Sequence, residues 1–309
     1  MVAILSPTGI SRAAEAYEKS PALVVIDTGI CPSEFAQKGA PLHEAFILGK
    51  RNELQAEEKA PPAVLIEDVT GSPAAMGDTN GHGTHLCGIL WDEQLAWEES
   101  PARSLVMLKA GSDKLAAPDL LRAIERIRDL RKRGLRVRVV LCAFNLYPKD
   151  CEAGEFQAVA DALKGLMDEG VWIVASAGSR GEDLDGLDGD ERSLPANLDH
   201  PNCLVVAATN DRGLLAARSN FGASTVWLAA AGTRIESLWP HGERKELSGS
   251  SQAAAVVAAR LFHEATAHPD EDLEAIKTRV EEAADRHPSL LQTTASGRFL
   301  KRAAEKTGE

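Results

Sequence analysis

The sequence predicts an α/β fold of three layers, a mainly parallel sheet with helices on both faces. Two observations predict it. Short apolar runs alternate with amphipathic stretches along most of the chain. The runs carry Val and Ile with almost no polar interruption, as strands covered on both faces should. The length permits it: 309 residues, 44% of them hydrophobic, suffice for one large α/β domain.

The elements follow in order. A first buried strand is read over 22–27, ending at Thr28-Gly29, and further strands over 63–67, 104–109, 137–144, 171–175, 203–208 and 226–230. A helix over 119–133 places Leu120, Ile124, Ile127 and Leu130 on one stripe, and one over 155–167 does the same with Phe156, Val159, Ala160, Leu163 and Met167. Residues 51–62 are polar, end in Pro61-Pro62 and read as a surface insertion; 182–191 read as an acidic, Gly-rich loop. Residues 270–309 read as a long helix, a turn and a short helix. The expected organisation is an N-terminal extension, 1–21, and one domain, 22–309.

Charge narrows the partners. Lys and Arg total 34 against 46 Asp and Glu, a net charge of -12. An acidic surface repels nucleic-acid phosphates and anionic lipid, so neither nucleic acid nor a membrane is an expected partner. The local basic stretch 126–138 reads as the solvated, positively charged end of a helix. No run reaches the length of a membrane span. The five cysteines are widely spaced, with no CxxC pair, and several lie in apolar runs, which suggests free thiols and a cytoplasmic location.

Three strings carry chemistry. Val24-Val25-Ile26-Asp27-Thr28-Gly29 puts a carboxylate at the end of a buried strand, which suits a group that orients a histidine and equally suits an ordinary turn. Asn80-Gly81-His82-Gly83-Thr84-His85 flanks His82 with glycines, so that the backbone turns tightly and the imidazole stays accessible. His82 and His85 are also at i, i+3, a metal-compatible spacing, but no HExxH is present and Asp78 is the one nearby oxygen ligand. In Ser248-Gly249-Ser250-Ser251-Gln252-Ala253, small residues lead into an Ala- and Val-rich helix. A serine there is an N-cap, or a nucleophile whose N–H and helix dipole stabilise an oxyanion. The three stand in the order Asp, His, Ser.

The sequence resembles the subtilase family. The family's aspartate motif matches Val25-Ile26-Asp27-Thr28-Gly29. Its His-Gly-Thr-His matches His82-Gly83-Thr84-His85, and its Ser-Gly-Thr-Ser-Met-Ala stands as Ser248-Gly249-Ser250-Ser251-Gln252-Ala253. Val174-Ala175-Ser176-Ala177-Gly178, Leu194-Pro195-Ala196 and Arg218-Ser219-Asn220-Phe221-Gly222 resemble further landmarks in the same order. The resemblance implies a subtilisin-like fold and a serine endopeptidase acting on protein or peptide substrates. Ser251 would attack, His82 would take its proton and Asp27 would orient the imidazole. No cofactor is required. It also implies substrate contacts from Ala143, Phe144 and Asn145, from Ser176, Ala177 and Gly178, and from Ser193. The oxyanion would be held by the Ser251 backbone and by Ser179. The stretch 91–101, where many members carry a calcium loop, reads as helical, and no metal site is expected.

The departures concern rate and specificity. Ser179 stands where the family has Asn, Gln252 where it has Met, and Ala255-Val256 where it has Pro-His. They open a second reading: a subtilase-fold pseudoprotease acting as a binding or regulatory module. The stretch before Asp27 is shorter than the usual prodomain, so the chain is expected to fold unaided or under a regulatory protein partner, with low intrinsic activity or that partner as the restraint. The carboxylates of 182–191, bordering the implied specificity pocket, suggest a preference for basic substrate residues.

Overall fold

A computed structural model describes residues 21–31, 63–70, 77–95 and 104–303. The expected insertion at 51–62, nearly all of the N-terminal extension and the end of the stretch 91–101 lie outside the described residues.

Nine of the described strands form one sheet in the order β10-β11-β7-β6-β5-β4-β1-β3-β2. They are β1 (Pro21–Asp27), β2 (Ala63–Asp68), β3 (Ser104–Lys109), β4 (Arg136–Cys142), β5 (Trp172–Ser176), β6 (Cys203–Thr209), β7 (Leu228–Ala231), β10 (Asp285–Arg286) and β11 (Arg298–Leu300). All pairings are parallel except β10 with β11. After β1 the chain places β2 at the edge, inserts β3 between them and then crosses to β4 on the other side, so the strand order reverses around β1. In such a sheet the crevice beyond the strands' carboxyl ends at this reversal is where ligands bind.

Alternation sets the faces. Leu23 and Val25 point to one face, where α1 (His82–Leu95), α4 (Ser250–Ala267) and α5 (Leu273–Glu282) pack; Ala22, Val24 and Ile26 point to the other, beneath α2 (Ala117–Lys132) and α3 (Glu155–Asp168). The three-layer expectation is therefore met. Helix α4 is buried almost all round, and its run Ala253–Ala259 of Ala and Val lets it lie close against the central strands. The predicted stripes of α2 and α3 are their buried faces, with Phe156 only partly covered.

Two segments differ from expectation. After α5 the chain forms only a single 3-10 turn, Pro288–Leu290, in place of the expected second helix. Pro288 opens that turn, Gly297 at φ +61° ends the loop after it, and buried Phe299 and Leu300 enter the sheet beside β7. The strand read over 137–144 ends at Cys142, so Ala143, Phe144 and Asn145 leave the sheet toward the crevice. A hairpin, β8 (Ile235–Trp239) with β9 (Glu243–Leu247), forms a separate two-stranded sheet. In the basic stretch, Arg128 and Arg131 both pair with Glu169 as α2 ends. Among the described residues no helix is long and apolar enough to cross a membrane, and the five cysteines are free.

Candidate active site

Asp27 is the last residue of β1, at the strand reversal, and is 1% exposed. Its parity places it on the α1 side. Oδ1 accepts from Thr28 N (2.8 Å), while His82 Nδ1 lies 2.8 Å from Oδ1 and 3.0 Å from Oδ2. The carboxylate is thus rigid, desolvated and directed at one imidazole nitrogen, leaving Nε2 for other work.

His82 opens α1, and both neighbouring glycines are structural necessities. Gly81 has φ +92°, and a Cβ there would meet the Trp239 ring at 2.5 Å. A Cβ on Gly83 would lie 2.1 Å from Gly29 O, because α1 begins hard against the turn after β1. That contact is what brings His82 onto Asp27. Behind them, buried Asp78 gathers the turn. Oδ1 accepts from Thr28 Oγ1 (3.0 Å), Asn80 N (3.1 Å) and Gly81 N (2.8 Å), and Oδ2 from Thr84 N and Oγ1, both 2.8 Å. Burial alone would lower the His82 pKa; the charge and hydrogen bond of Asp27 and the charge of Asp78 outweigh it, so the imidazole titrates above its usual 6.5. His85, the other candidate ligand, faces away. Its Nε2 lies 3.1 Å from Ile235 O and 2.9 Å from Lys245 O, and burial lowers its pKa to about 4. Asp78 is saturated with donors and His85 points into the hairpin, so this set does not converge on a metal.

Ser250 and Ser251 begin α4. Ser250 Oγ accepts from Gly178 N (3.0 Å) and lies 3.1 Å from Gly178 O, tying the helix to the loop after β5. Ser251 Oγ donates to Ala143 O at 3.2 Å, beyond β4. Among the described residues no hydrogen bond joins Ser251 to His82. The structure therefore joins Asp27 to His82 and leaves the serine hydroxyl turned to Ala143.

The remaining predicted residues lie at the end of β5, on the loops after β4 and β5, and at Ser193. Ser176 ends β5 and is buried, as is Ala177. Ser193 is 2% exposed and accepts from Asn145 Nδ2 at 3.0 Å. Phe144 packs instead against the core under α2 and α3. Ser179 is exposed, and its side chain makes no hydrogen bond with a described residue. Two carboxylates of the acidic loop are committed to backbone N–H groups: Asp183 Oδ1 accepts from Asp185 N, and Asp185 accepts from Ser224 N and Thr225 N of the segment before β7. Those hydrogen bonds outweigh burial and hold Asp185 below the usual carboxylate pKa. Two of the carboxylates expected to attract basic substrates thus have other roles.

Three contributors escaped the sequence reading: Asp78 as an organiser of the His82 turn, Trp239 packed on Gly81, and Asn220. Asn220 Oδ1 accepts from Arg180 N and Glu182 N, and its Nδ2 donates to Ala177 O. The Asp78-Thr79-Asn80-Gly81 string is a turn signature that could have flagged the first.

Comparisons with known proteins agree with this architecture. The subtilisin-like serine protease Pen ch 13.0101 of Penicillium rubens is 28% identical over 183 residues, covering 59% of this chain and 42% of that protein. Subtilisin-like protease 6 of Arthroderma benhamiae is 27% identical over 177 residues, 57% of this chain and 41% of that protein. The chain thus spans less than half the length of these curated relatives. Among solved structures, the A-subunit of the AB5 toxin from E. coli superposes with a TM-score of 0.65 at 20% identity, covering 96% of this chain and 95% of that one. A cold adapted subtilisin-like serine proteinase superposes with a TM-score of 0.64 at 20% identity over 93% and 90%. The fold is subtilisin-like. The model of the subtilase family matches residues 18–302, nearly the whole described structure and every residue of the crevice, and the chain belongs to that family.

Proposed function

We propose that the chain is a serine endopeptidase that hydrolyses peptide bonds through an acyl-enzyme on Ser251. The observation that carries this reading is the buried Asp27 carboxylate bonded to His82 Nδ1 at the strand reversal, with Ser251 opening a helix over the same crevice. Asp27 fixes the tautomer that carries its proton on Nδ1, so Nε2 accepts the Ser251 proton. Ser251 Oγ attacks the substrate carbonyl after leaving Ala143 O, the leaving amine takes the proton from His82, and water hydrolyses the ester with His82 again the base. The N-terminus of α4 and the Ser251 N–H favour the oxyanion, and Ser179 stands as the second donor.

A second reading, a pseudoprotease that binds without turning over, is favoured by the bond from Ser251 to Ala143 and by the unpartnered Ser179. Hydrolysis of a casein or peptide substrate by wild type and by Ser251→Ala separates the two. The peptidase reading expects hydrolysis in the first alone, with both proteins equally folded by circular dichroism. Equal turnover in both refutes Ser251 as nucleophile, and none in either supports the pseudoprotease.

A further inference from the structure

The two loops that leave the sheet beside Ser251 are bridged by a cation, Arg180, which lies over Tyr147. Segments 143–147 and 177–180 leave adjacent parallel strands, β4 and β5, in register at Cys142 and Ala175. The N-terminus of α4 lies across their near ends, through Ser251 on Ala143 O and Ser250 on Gly178. The first loop is tied down by the bond from Asn145 to Ser193 and by the two backbone hydrogen bonds between Leu146 and Leu194. At the far end the Arg180 guanidinium crosses onto Tyr147, 4.3 Å from the ring centroid. Lys149 adds a second cation at 5.2 Å from the same ring.

Stacking holds a guanidinium by its face and leaves its in-plane N–H groups free to form a two-pronged bond to a carboxylate. The Arg180 side chain is 44% exposed, and its one ion pair among the described residues is a long 3.9 Å contact to Glu182. Such a surface pair holds weakly and yields readily. The carboxylates of Asp183 and Asp185, which would oppose an acidic ligand, are occupied by backbone N–H groups, of Asp185 for the first and of Ser224 and Thr225 for the second. Arg180 lies two residues beyond Gly178, about 7 Å of extended chain, within the span of one substrate side chain reaching along the cleft.

We propose that Arg180, held on Tyr147, is a specificity determinant that selects substrates carrying Glu or Asp close to the scissile bond. This rests on the peptidase reading above and replaces the preference for basic residues suggested by the acidic loop.

The test is a panel of quenched fluorescent peptides carrying Glu, Gln, Leu or Lys at each of the positions flanking the cleavage site. Wild type, Arg180→Gln and Arg180→Glu are assayed, with fluorophosphonate labelling of Ser251 in parallel. At one position wild type should favour Glu over its isostere Gln by about tenfold in kcat/KM, Arg180→Gln should abolish that ratio, and Arg180→Glu should turn it toward Lys. Ser251-dependent hydrolysis without Glu over Gln discrimination, or with discrimination unchanged in Arg180→Gln, overturns the proposal and leaves the peptidase reading intact. Neither hydrolysis nor labelling of Ser251 overturns both.

Discussion

Asp78 shows how much of a site lies in residues with no part in the chemistry. Its two oxygens receive five donors, two of them hydroxyls from Thr28 and Thr84 on either side of His82. It fixes the turn and adds a second negative charge near the imidazole. Replacement by Asn removes that charge, so the imidazolium is less favoured and His82 deprotonates at lower pH. The acid limb of the kcat/KM profile of Asp78→Asn should therefore move to lower pH, with reduced turnover because one acceptor has become a donor facing Thr84 N. An unshifted limb would show that Asp78 acts on position alone. Ser179 makes the complementary case. A hydroxyl reaches less far than the family's amide, and losing a side-chain donor to an oxyanion costs on the order of a hundredfold in turnover. Ser179→Asn should raise kcat with little change in KM, since the oxyanion exists only after attack; an unchanged kcat would show that another donor fills the role. At this scale, what was legible was what is local. Asp27, His82 and Ser251 sit in short strings of fixed residue type. Asp78 was read as a metal-ligand candidate because its donors are spread over Thr28, the turn and α1.

Among elements, β8–β9 was invisible in the sequence. Four consecutive charged residues, Glu243 to Glu246, are all exposed, so β9 has no alternation to read. Much of what fixes the hairpin is distant: His85 Nε2 donates between Ile235 O and Lys245 O, and Ser237 Oγ donates to His85 O, while within the hairpin Lys245 lies over Trp239. His85 Nδ1 is buried without a partner, so protonating it places an unpaired donor and a charge in the interior. With the His85 pKa lowered from 6.5 to about 4, its contribution to stability is full above pH 6.5 and is lost as pH falls toward 4, by roughly 3 kcal/mol. The pairing of His82 with Asp27 has the opposite sign, being full below pH 6.5 and lost as pH rises through its raised folded value. Urea unfolding at pH 7 and pH 4.5 should show a clearly smaller acid loss for His85→Gln, whose amide can still donate, than for wild type. Equal losses would assign acid sensitivity elsewhere. The end of the chain was misread for a related reason. The run 284–300 has no clear period, and its Phe299 and Leu300 become a strand only because β7 offers an edge.

For the molecule as a whole, the alternation of apolar runs and amphipathic stretches carried the fold, because strands buried on both faces leave a strong compositional trace. The reversal around β1 then explains why residues from far-apart stretches of chain meet at one crevice. The distal end of the chain also supports that crevice. Arg302 Nε donates to the buried carboxylate of Glu93 at 2.9 Å, with Ala303 N on its other oxygen, so the helix that His82 opens is anchored at its last turns. The central claim is that this scaffold activates Ser251 through His82 and Asp27. Intact-mass measurement of the rate of fluorophosphonate labelling as a function of pH tests it most directly. The account predicts a single adduct on Ser251, formed at a rate that rises with pH around the elevated His82 pKa, strongly slowed in His82→Ala and absent in Ser251→Ala. Labelling of Ser251 at the same rate without His82, or no labelling of wild type at any pH, would contradict it.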